Sequence, residues 1–451
     1  MSETPLPGGP LFTSRSLAAL MGPLLVEQAL SVMIGMADTM MVASLGEAAM
    51  ASVSLVNNIN QLLLQVFAAL AAGGAVVVSQ YVGSKDRTRA CDAAEQLYRV
   101  SFLVSMIITI PSLLFNRAIL NGVFGRLDED VLQGAMTYYA LSALSYPFLA
   151  LYNSGAALFR SMGNSRVSMY ASMVMTLVNV AGNALLIYVF RLGVAGAGIA
   201  TLFSCVLGGM YLTLRLYNRK NTIYIEKLWR LSFQRDLVGR ILKIGVPNGL
   251  ENGMFQIGKL VVMTLIASLG TMAIAANAVV SSMASLATLP GNGIGLGMVT
   301  VVGQCMGAGR PNEASANTRK LMAACHALML ITCAALFLFA RQVIGFYGLS
   351  PEAGNLAFGI IRFYTVWSVL IWPESFTLPC ALRGAGDARF TMTVSILSMW
   401  VCRIALCYLL TLQFGMGLRG VWVAMIIDWG VRGAAFVVRF ARGKWRAIKV
   451  I

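Results

Sequence analysis

The 451 residues are 58% hydrophobic and 12% charged, far more apolar than a soluble core requires. A net charge of +16 would suit nucleic acid, but the cations sit in alternate loops between apolar runs, and no basic, aromatic-studded soluble module carries them. One histidine and eight cysteines without metal-ligand spacing argue against a zinc centre or disulfide framework and leave the cysteines as small apolar fillers.

Residues 1–16 hold Pro5, Pro7, Gly8, Gly9 and Pro10, without the small-residue cleavage pattern of a signal peptide, and are read as a short cytoplasmic tail. Apolar runs then predict twelve spans, at 17–43, 49–81, 93–115, 131–159, 167–190, 195–216, 241–267, 273–306, 317–340, 353–381, 390–413 and 418–439. Several exceed the roughly 20 residues needed to cross a bilayer, which predicts tilt, bending or protrusion. Residues 17–216 are expected to form an N-terminal six-helix lobe and 241–440 a C-terminal one. A basic cytoplasmic linker, 217–240, joins them, and a basic cytoplasmic tail, 441–451, follows. Within the linker, Leu-Trp-Arg-Leu-Ser-Phe-Gln-Arg at 228–235 is expected to lie partly as an amphipathic helix on the inner surface.

Charge placement orients the chain. Lysines and arginines collect at Lys85, Arg87 and Arg89, at Arg160 and Arg166, through the linker, at Arg310, Arg319 and Lys320, at Arg383 and Arg389, and in the tail from Arg439. The intervening loops hold Arg117, Arg126, Arg191, Arg341 and Arg419. This positive-inside asymmetry predicts both termini in the cytoplasm, with the basic loops facing anionic lipid.

The second half repeats the first at an offset of 224 residues: Pro23/Pro247, Glu27/Glu251, Ser44/Ser268, Leu45/Leu269, Gly46/Gly270, Gly73/Gly297, Gln80/Gln304 and Gly83/Gly307. The register continues one residue shorter at Arg160/Arg383, Gly163/Gly386, Arg166/Arg389 and Met169/Met392, then returns at Phe190/Phe414, Gly193/Gly417, Gly196/Gly420 and Ala200/Ala424. Six spans per copy is an even number, so both copies enter from the same side and the repeat is parallel. The expected fold is an all-α integral membrane protein of twelve transmembrane helices in two six-helix repeats, an organisation most often found in transporters. Gly73-Gly74, and Gly291, Gly293, Gly295 and Gly297 after Pro290, mark bends or close helix crossings.

The segment Gly-Met-Ala-Asp38-Thr-Met-Met-Val-Ala-Ser-Leu-Gly46, the span ends Gln80-Tyr-Val-Gly83 and Gln304-Cys-Met-Gly307, and Leu382-Arg-Gly-Ala-Gly-Asp387 resemble the multidrug and toxic compound extrusion (MATE) transporters. The ending, with Trp400, Arg403, Gly420-Val-Trp, Asp428-Trp and Arg439 to Trp445, resembles the DinF-like branch of that family. The resemblance implies a V-shaped pair of six-helix lobes that open alternately to either side and expel varied, often cationic and amphipathic compounds in exchange for protons or sodium ions. The 26 methionines and 21 phenylalanines suit a promiscuous surface, and core packing accounts for them equally well.

A charge inside the bilayer is costly and calls for a partner or a task. The candidates are Glu27 and Asp38 in span 1, Glu251 and Lys259 in span 7, Glu374 in span 10, Arg403 in span 11 and Asp428 in span 12. Asp38, flanked by Met36, Ala37, Met40 and Met41, has no local counter-charge. Asn179 and Asn183 are four apart on one face of span 5, and Thr201 in span 6 lies at similar depth. One carboxylate with amide and hydroxyl oxygens suits a proton or a hard cation such as sodium. The resemblance maps the family's amino-terminal ion site onto the same four residues, except that Asn183 stands where the family pattern has an acid. That loss weakens sodium coupling and favours a proton, whose uptake an apolar, poorly solvated site promotes by disfavouring the ionised form.

Glu251 resembles a carboxyl-lobe cation-site acid of the NorM-like branch, and Glu374 falls near another, so the pair is a candidate substrate or second cation site. Arg403, Asp428 and Arg432 are expected to form a structural cluster, Lys259 to neutralise a nearby acid, and His326 to serve helix packing, with a proton relay as the alternative.

The function expected is a secondary active antiporter in a bacterial inner (plasma) membrane, exporting organic cations against protons or sodium by alternating access. Ion binding at Asp38 would change the bend of span 1 and displace the drug. Its partners would be small, cationic amphipathic molecules and membrane lipids, its state a monomer, and no cofactor beyond the coupling ion is expected. The alternative is a lipid-linked saccharide flippase of the same superfamily, which would need several central arginines where Arg403 alone offers itself. A channel lacks a repeated selectivity loop, and an enzyme lacks the necessary His, Asp or Glu cluster.

Overall fold

The computed structural model describes residues 9–125, 127–226 and 232–451. Expectations for residues 1–8, for Arg126 and for 227–231 in the linker lie outside the described residues. Helices account for nearly all of the rest: α1 Ser14–Ala43, α2 Glu47–Gly83, α3 Arg87–Leu114, α4 Asn116–Phe124, α5 Glu129–Ser161, α6 Ser165–Val189, α7 Gly193–Leu216, α8 Arg235–Ser268, α9 Thr271–Ala287, α10 Leu289–Gly307, α11 Pro311–Gly345, α12 Pro351–Gly384, α13 Ala388–Gln413 and α14 Leu418–Ala441. Each predicted span has its helical counterpart, a few residues longer at one or both ends because helical turns continue past the apolar stretch.

Three differences have physical causes. The eighth predicted span is two helices, α9 and α10, bent by 45° at Thr288, where Pro290 removes a backbone donor from the ladder. The short α4 follows Pro111 near the end of α3 and begins a new helix at Asn116. In the linker, 232–234 is not helical and α8 starts at Arg235. The linker is held instead to α3: Arg87 donates to the carbonyls of Arg219, Asn221 and Thr222, and Gln96 and Arg99 donate to that of Ser232.

The chain divides into two compact units, one running Gly22–Gly249 and the other Leu250–Val450 with the described residues up to Met21. In the first, α5 packs against α2, α3, α6 and α7. Among the described residues, nine helices and the bent pair are apolar enough to cross a bilayer by composition. Helices α5 and α8 are of similar length but more polar. Helix α5 spends its polarity inside the bundle: Tyr146 donates to Asn60 at 2.8 Å, Tyr139 to Ser112 at 3.0 Å and Ser154 to Ser101 at 2.8 Å, which satisfies groups that lipid cannot. In the second unit α12 packs against α9, α11 and α14.

The repeat is built into the backbone. Gly46 and Gly270, at φ 102° and 93°, open α2 and α9 after the same Ser-Leu, a conformation that glycine adopts at least cost. The ends of α6 and α13 both widen into π-helical turns, Ala184–Val189 and Leu409–Gln413. Phe190 N–H bonds Leu185 O in one and Phe414 N–H bonds Leu409 O in the other. Two further π turns, Pro373–Thr377 and Ser398–Ile404, carry Glu374 and Arg403, and their first-half counterparts lie in regular α-helix. Such turns recur at functional sites.

Gly73 in α2 lies against the early part of α8. A Cβ there would stand 2.5 Å from Ile241 O and 2.8 Å from Gly245 N, both backbone atoms. Gly73→Ala must therefore push two helices apart and should cost about 1–3 kcal/mol, read as a lowered melting temperature of the purified protein in detergent. An unchanged melting temperature would show that the crossing gives way freely.

Candidate functional site

Four of the six candidate site residues come together inside the first unit. Asn179 and Asn183, on consecutive turns of α6, are 3% and 1% exposed. Asn183 Nδ2 donates to Asp38 Oδ1 and, at 3.3 Å, to Asn179 Oδ1. Asn179 Nδ2 donates at 3.3 Å to Thr201 Oγ1, which donates to Ala197 O at 3.0 Å. A chain of hydrogen bonds thus links α1, α6 and α7. The first π turn begins directly after Asn183. Asn183 presents its N–H to the carboxylate, while its own Oδ1 is buried without a hydrogen-bond partner among the described residues.

Asp38, Asn179 and Thr201 line a cavity of about 330 Å³. Its wall continues through Asn57, Asn60 and Gln61 of α2, Tyr138, Ser142 and Tyr146 of α5, and Ser204 of α7. Among the described residues, Asp38 is the one carboxylate that lines it, and no lysine, arginine or histidine does. The α2 and α5 contribution is absent from the sequence reading, although a signal existed. Asn57, Asn60 and Gln61 fall at i, i+3 and i+4, one polar face within an apolar helix.

Glu27, eleven residues before Asp38, does not join this group. It accepts from Arg160 Nη1 at 3.0 Å and from Ser168 Oγ at 2.8 Å. Its repeat partner Glu251 does the equivalent, accepting from Ser395 Oγ at 2.8 Å and lying 3.8 Å from Arg383 Nη1. In each half, then, a glutamate on the first span meets an arginine at the end of the fourth and a serine on the fifth.

Glu374 and Glu251 engage different partners. Glu374 Oε1 lies 3.1 Å from His326 Nε2, and His326 Nδ1 lies 2.8 Å from Met322 O. His326 is thus the partner of Glu374, where the sequence suggested a packing role. Arg403 Nε lies 3.1 Å from Asp428 Oδ2, and Asp428 also accepts from Ser398. Lys259, expected to neutralise an acid, lies instead 5.2 Å from the Phe255 ring centroid, with no carboxylate within 4 Å among the described residues.

Chemically, the first unit offers a single carboxylate in an otherwise uncharged polar cavity, within reach of amides and hydroxyls that can serve as donors or acceptors. Such a group takes up and releases a proton, or meets a cation through its oxygens.

A family model described as MatE matches residues 23–185 and 247–409, two segments whose starts and ends are both separated by the repeat offset. Over 438 residues the chain is 26% identical to the uncharacterised transporter YisQ of Bacillus subtilis, covering 95% of this chain and 94% of that one. It is 24% identical over 446 residues to the probable multidrug resistance protein NorM of Thermotoga maritima, covering 97% and 94%. An outward-facing multidrug resistance MATE family transporter of the MOP superfamily has the same fold, with a TM-score of 0.88 at 21% identity and coverage of 96% and 95%. With this fold, this repeat and this family match, the chain belongs to the MATE family and is a multi-pass membrane transporter, not an enzyme.

Proposed function

We propose that this transporter exports drug-sized amphipathic compounds, organic cations among them, in exchange for protons carried by Asp38. The observation that carries the reading is the single carboxylate in a cavity whose other lining groups are uncharged. When Asp38 is ionised it attracts an organic cation and accepts from Asn183. When a proton arrives, the attraction is lost, so proton and cation exclude each other from one site. The protonation step also removes the charge that strengthens the α1–α6 hydrogen bond, which gives α1 a reason to repack and the cavity a reason to close. Relatives named probable multidrug resistance protein NorM and multidrug resistance protein PmpM support a chemically varied cargo.

A proton is preferred over sodium because Asn183 supplies an amide where a second acid would supply charge, and because its N–H is what faces Asp38. The flippase alternative is disfavoured for this cavity, since no arginine lines it. Under this reading the protein resides in a bacterial inner membrane as a monomer, with both termini and the basic loops cytoplasmic.

Purified protein in proteoliposomes, loaded with a fluorescent organic cation, tests the coupling. An imposed proton gradient should drive its exit and a sodium gradient of equal size should not. Exit driven by sodium alone would reverse the ion assignment.

A further inference from the structure

The second unit gathers a group of cations, Arg403 and Arg432 of them buried, to which the exchange mechanism gives no task. On α8, Glu251, Phe255 and Lys259 are spaced four apart and share a face. Around the Phe255 ring stand three cations: Lys259 Nζ at 5.2 Å, Arg403 Cζ at 5.1 Å and Arg432 Cζ at 5.7 Å from its centroid. Arg432 also lies 4.3 Å from the centroid of Phe376. Two carboxylates are near, and both are engaged, Asp428 by Arg403 and Ser398 and Glu251 by Arg383 and Ser395. Arg432 has no carboxylate within 4 Å among the described residues, since Asp428 pairs with Arg403 and Glu251 with Arg383. It is 2% exposed, and its Nε and Nη2 are buried without a hydrogen-bond partner among the described residues.

Aromatic faces offset part of the cost of a buried guanidinium, but unfilled N–H groups in a low dielectric remain expensive. Four cations, Lys259, Arg383, Arg403 and Arg432, stand against two carboxylates, so the group carries excess positive charge. The two nitrogens of Arg432 that lack a hydrogen-bond partner among the described residues, like the same pair on Arg403, form the planar edge that meets two oxygens of one oxyanion. Lys259, exposed, extends the positive charge to the accessible side of Phe255.

We propose that this cluster binds the oxyanion head, a carboxylate or phosphate, of an amphipathic molecule, with the apolar body lying along Phe255. The site shares no residue with the Asp38 cavity, so it stands or fails independently of the exchange mechanism. By sequence Arg403 alone offers itself as a central arginine and Arg432 joins a structural cluster with it and Asp428; in the structure Asp428 pairs with Arg403, and among the described residues Arg432 has no carboxylate within 4 Å.

Intrinsic tryptophan fluorescence of the full chain in neutral detergent provides a readout, since Trp372 and Trp429 lie 4.8 Å and 5.5 Å from Phe376, centroid to centroid. Titration with dodecyl phosphate and with dodecyltrimethylammonium separates head-group charge from tail. The phosphate should bind at least about tenfold more tightly, and Lys259→Gln and Arg432→Gln should each weaken it roughly ten- to a hundredfold, with Asp38→Asn unchanged. Equal affinity for the two head groups, or an unchanged affinity in Lys259→Gln, would overturn the proposal. Should Arg432→Gln not elute as a single species, exposed Lys259 still decides the result. Competition by phosphatidylglycerol in nanodiscs, but not by phosphatidylcholine, would make the occupant a lipid head; its absence would make it a free amphipathic anion.

Discussion

Asp38→Asn is expected to abolish drug efflux while leaving membrane insertion intact. Asparagine keeps the volume of the side chain and removes the one carboxylate from the cavity lining. An organic cation then loses its charged partner, a contact worth about 1.5–3 kcal/mol and hence roughly ten- to a hundredfold in affinity. The larger loss is in coupling, because an amide does not titrate and the proton no longer competes with the drug. Asn183 would face a second amide in place of the carboxylate that now accepts its N–H, a local change that leaves the helices in place. The check pairs drug resistance in cells with quantified protein in the membrane fraction. Full resistance at normal abundance would remove Asp38 from the mechanism.

The second large effect concerns stability. Asp428 is fully buried on α14 and compensates Arg403, itself 5% exposed. Asp428→Ala would leave a guanidinium buried beside Arg432 with no countercharge, a change that costs about 3–5 kcal/mol when a buried pair is broken from one side. The expected readout is a marked fall in melting temperature, or loss of the monodisperse species in detergent. Arg403→Met added to Asp428→Leu should recover much of the loss, since an apolar pair of similar volume avoids the desolvation cost altogether. If the single variant melts like the wild type, Arg403 is solvated in a way its burial denies.

The twelve spans were legible because a bilayer imposes both a minimum length and a rhythm of basic loops, and helices cannot drift far from either. The group at Asp38 was legible for a local reason: Asn179 and Asn183 share a face at i and i+4, and a lone acid in a methionine-rich stretch has to find partners nearby. The bend at Thr288 was only half visible, since Pro290 announces a weak point but not its angle. The partnership of His326 with Glu374 was hidden, because it depends on α11 lying against α12 and on the π turn at Pro373–Thr377. A regular period of 3.6 places residues beyond such a turn on the wrong face. The open edge of Arg432 was hidden for a related reason. Spacing on α14 put it beside Asp428, while Arg403, brought in by the π turn on α13, takes that carboxylate. The duplication helps with both halves of the problem. Where the repeats agree, as at Glu27 and Glu251, each carboxylate is held by an arginine and a serine. Where they differ, Asp38 aligns with Val262, Asn179 with Cys402, Asn183 with Leu406 and Thr201 with Met425 in the repeat, and the difference falls on the cavity.

Proton release on drug binding measures the central claim directly. Purified protein in weakly buffered detergent solution, held at a pH where Asp38 is protonated in the drug-free state, is mixed with an organic cation while the pH is recorded. Competition at a shared carboxylate predicts release of about one proton per bound cation by linkage, and none from Asp38→Asn. Binding by the wild type without proton release, or equal release from Asp38→Asn, would contradict it.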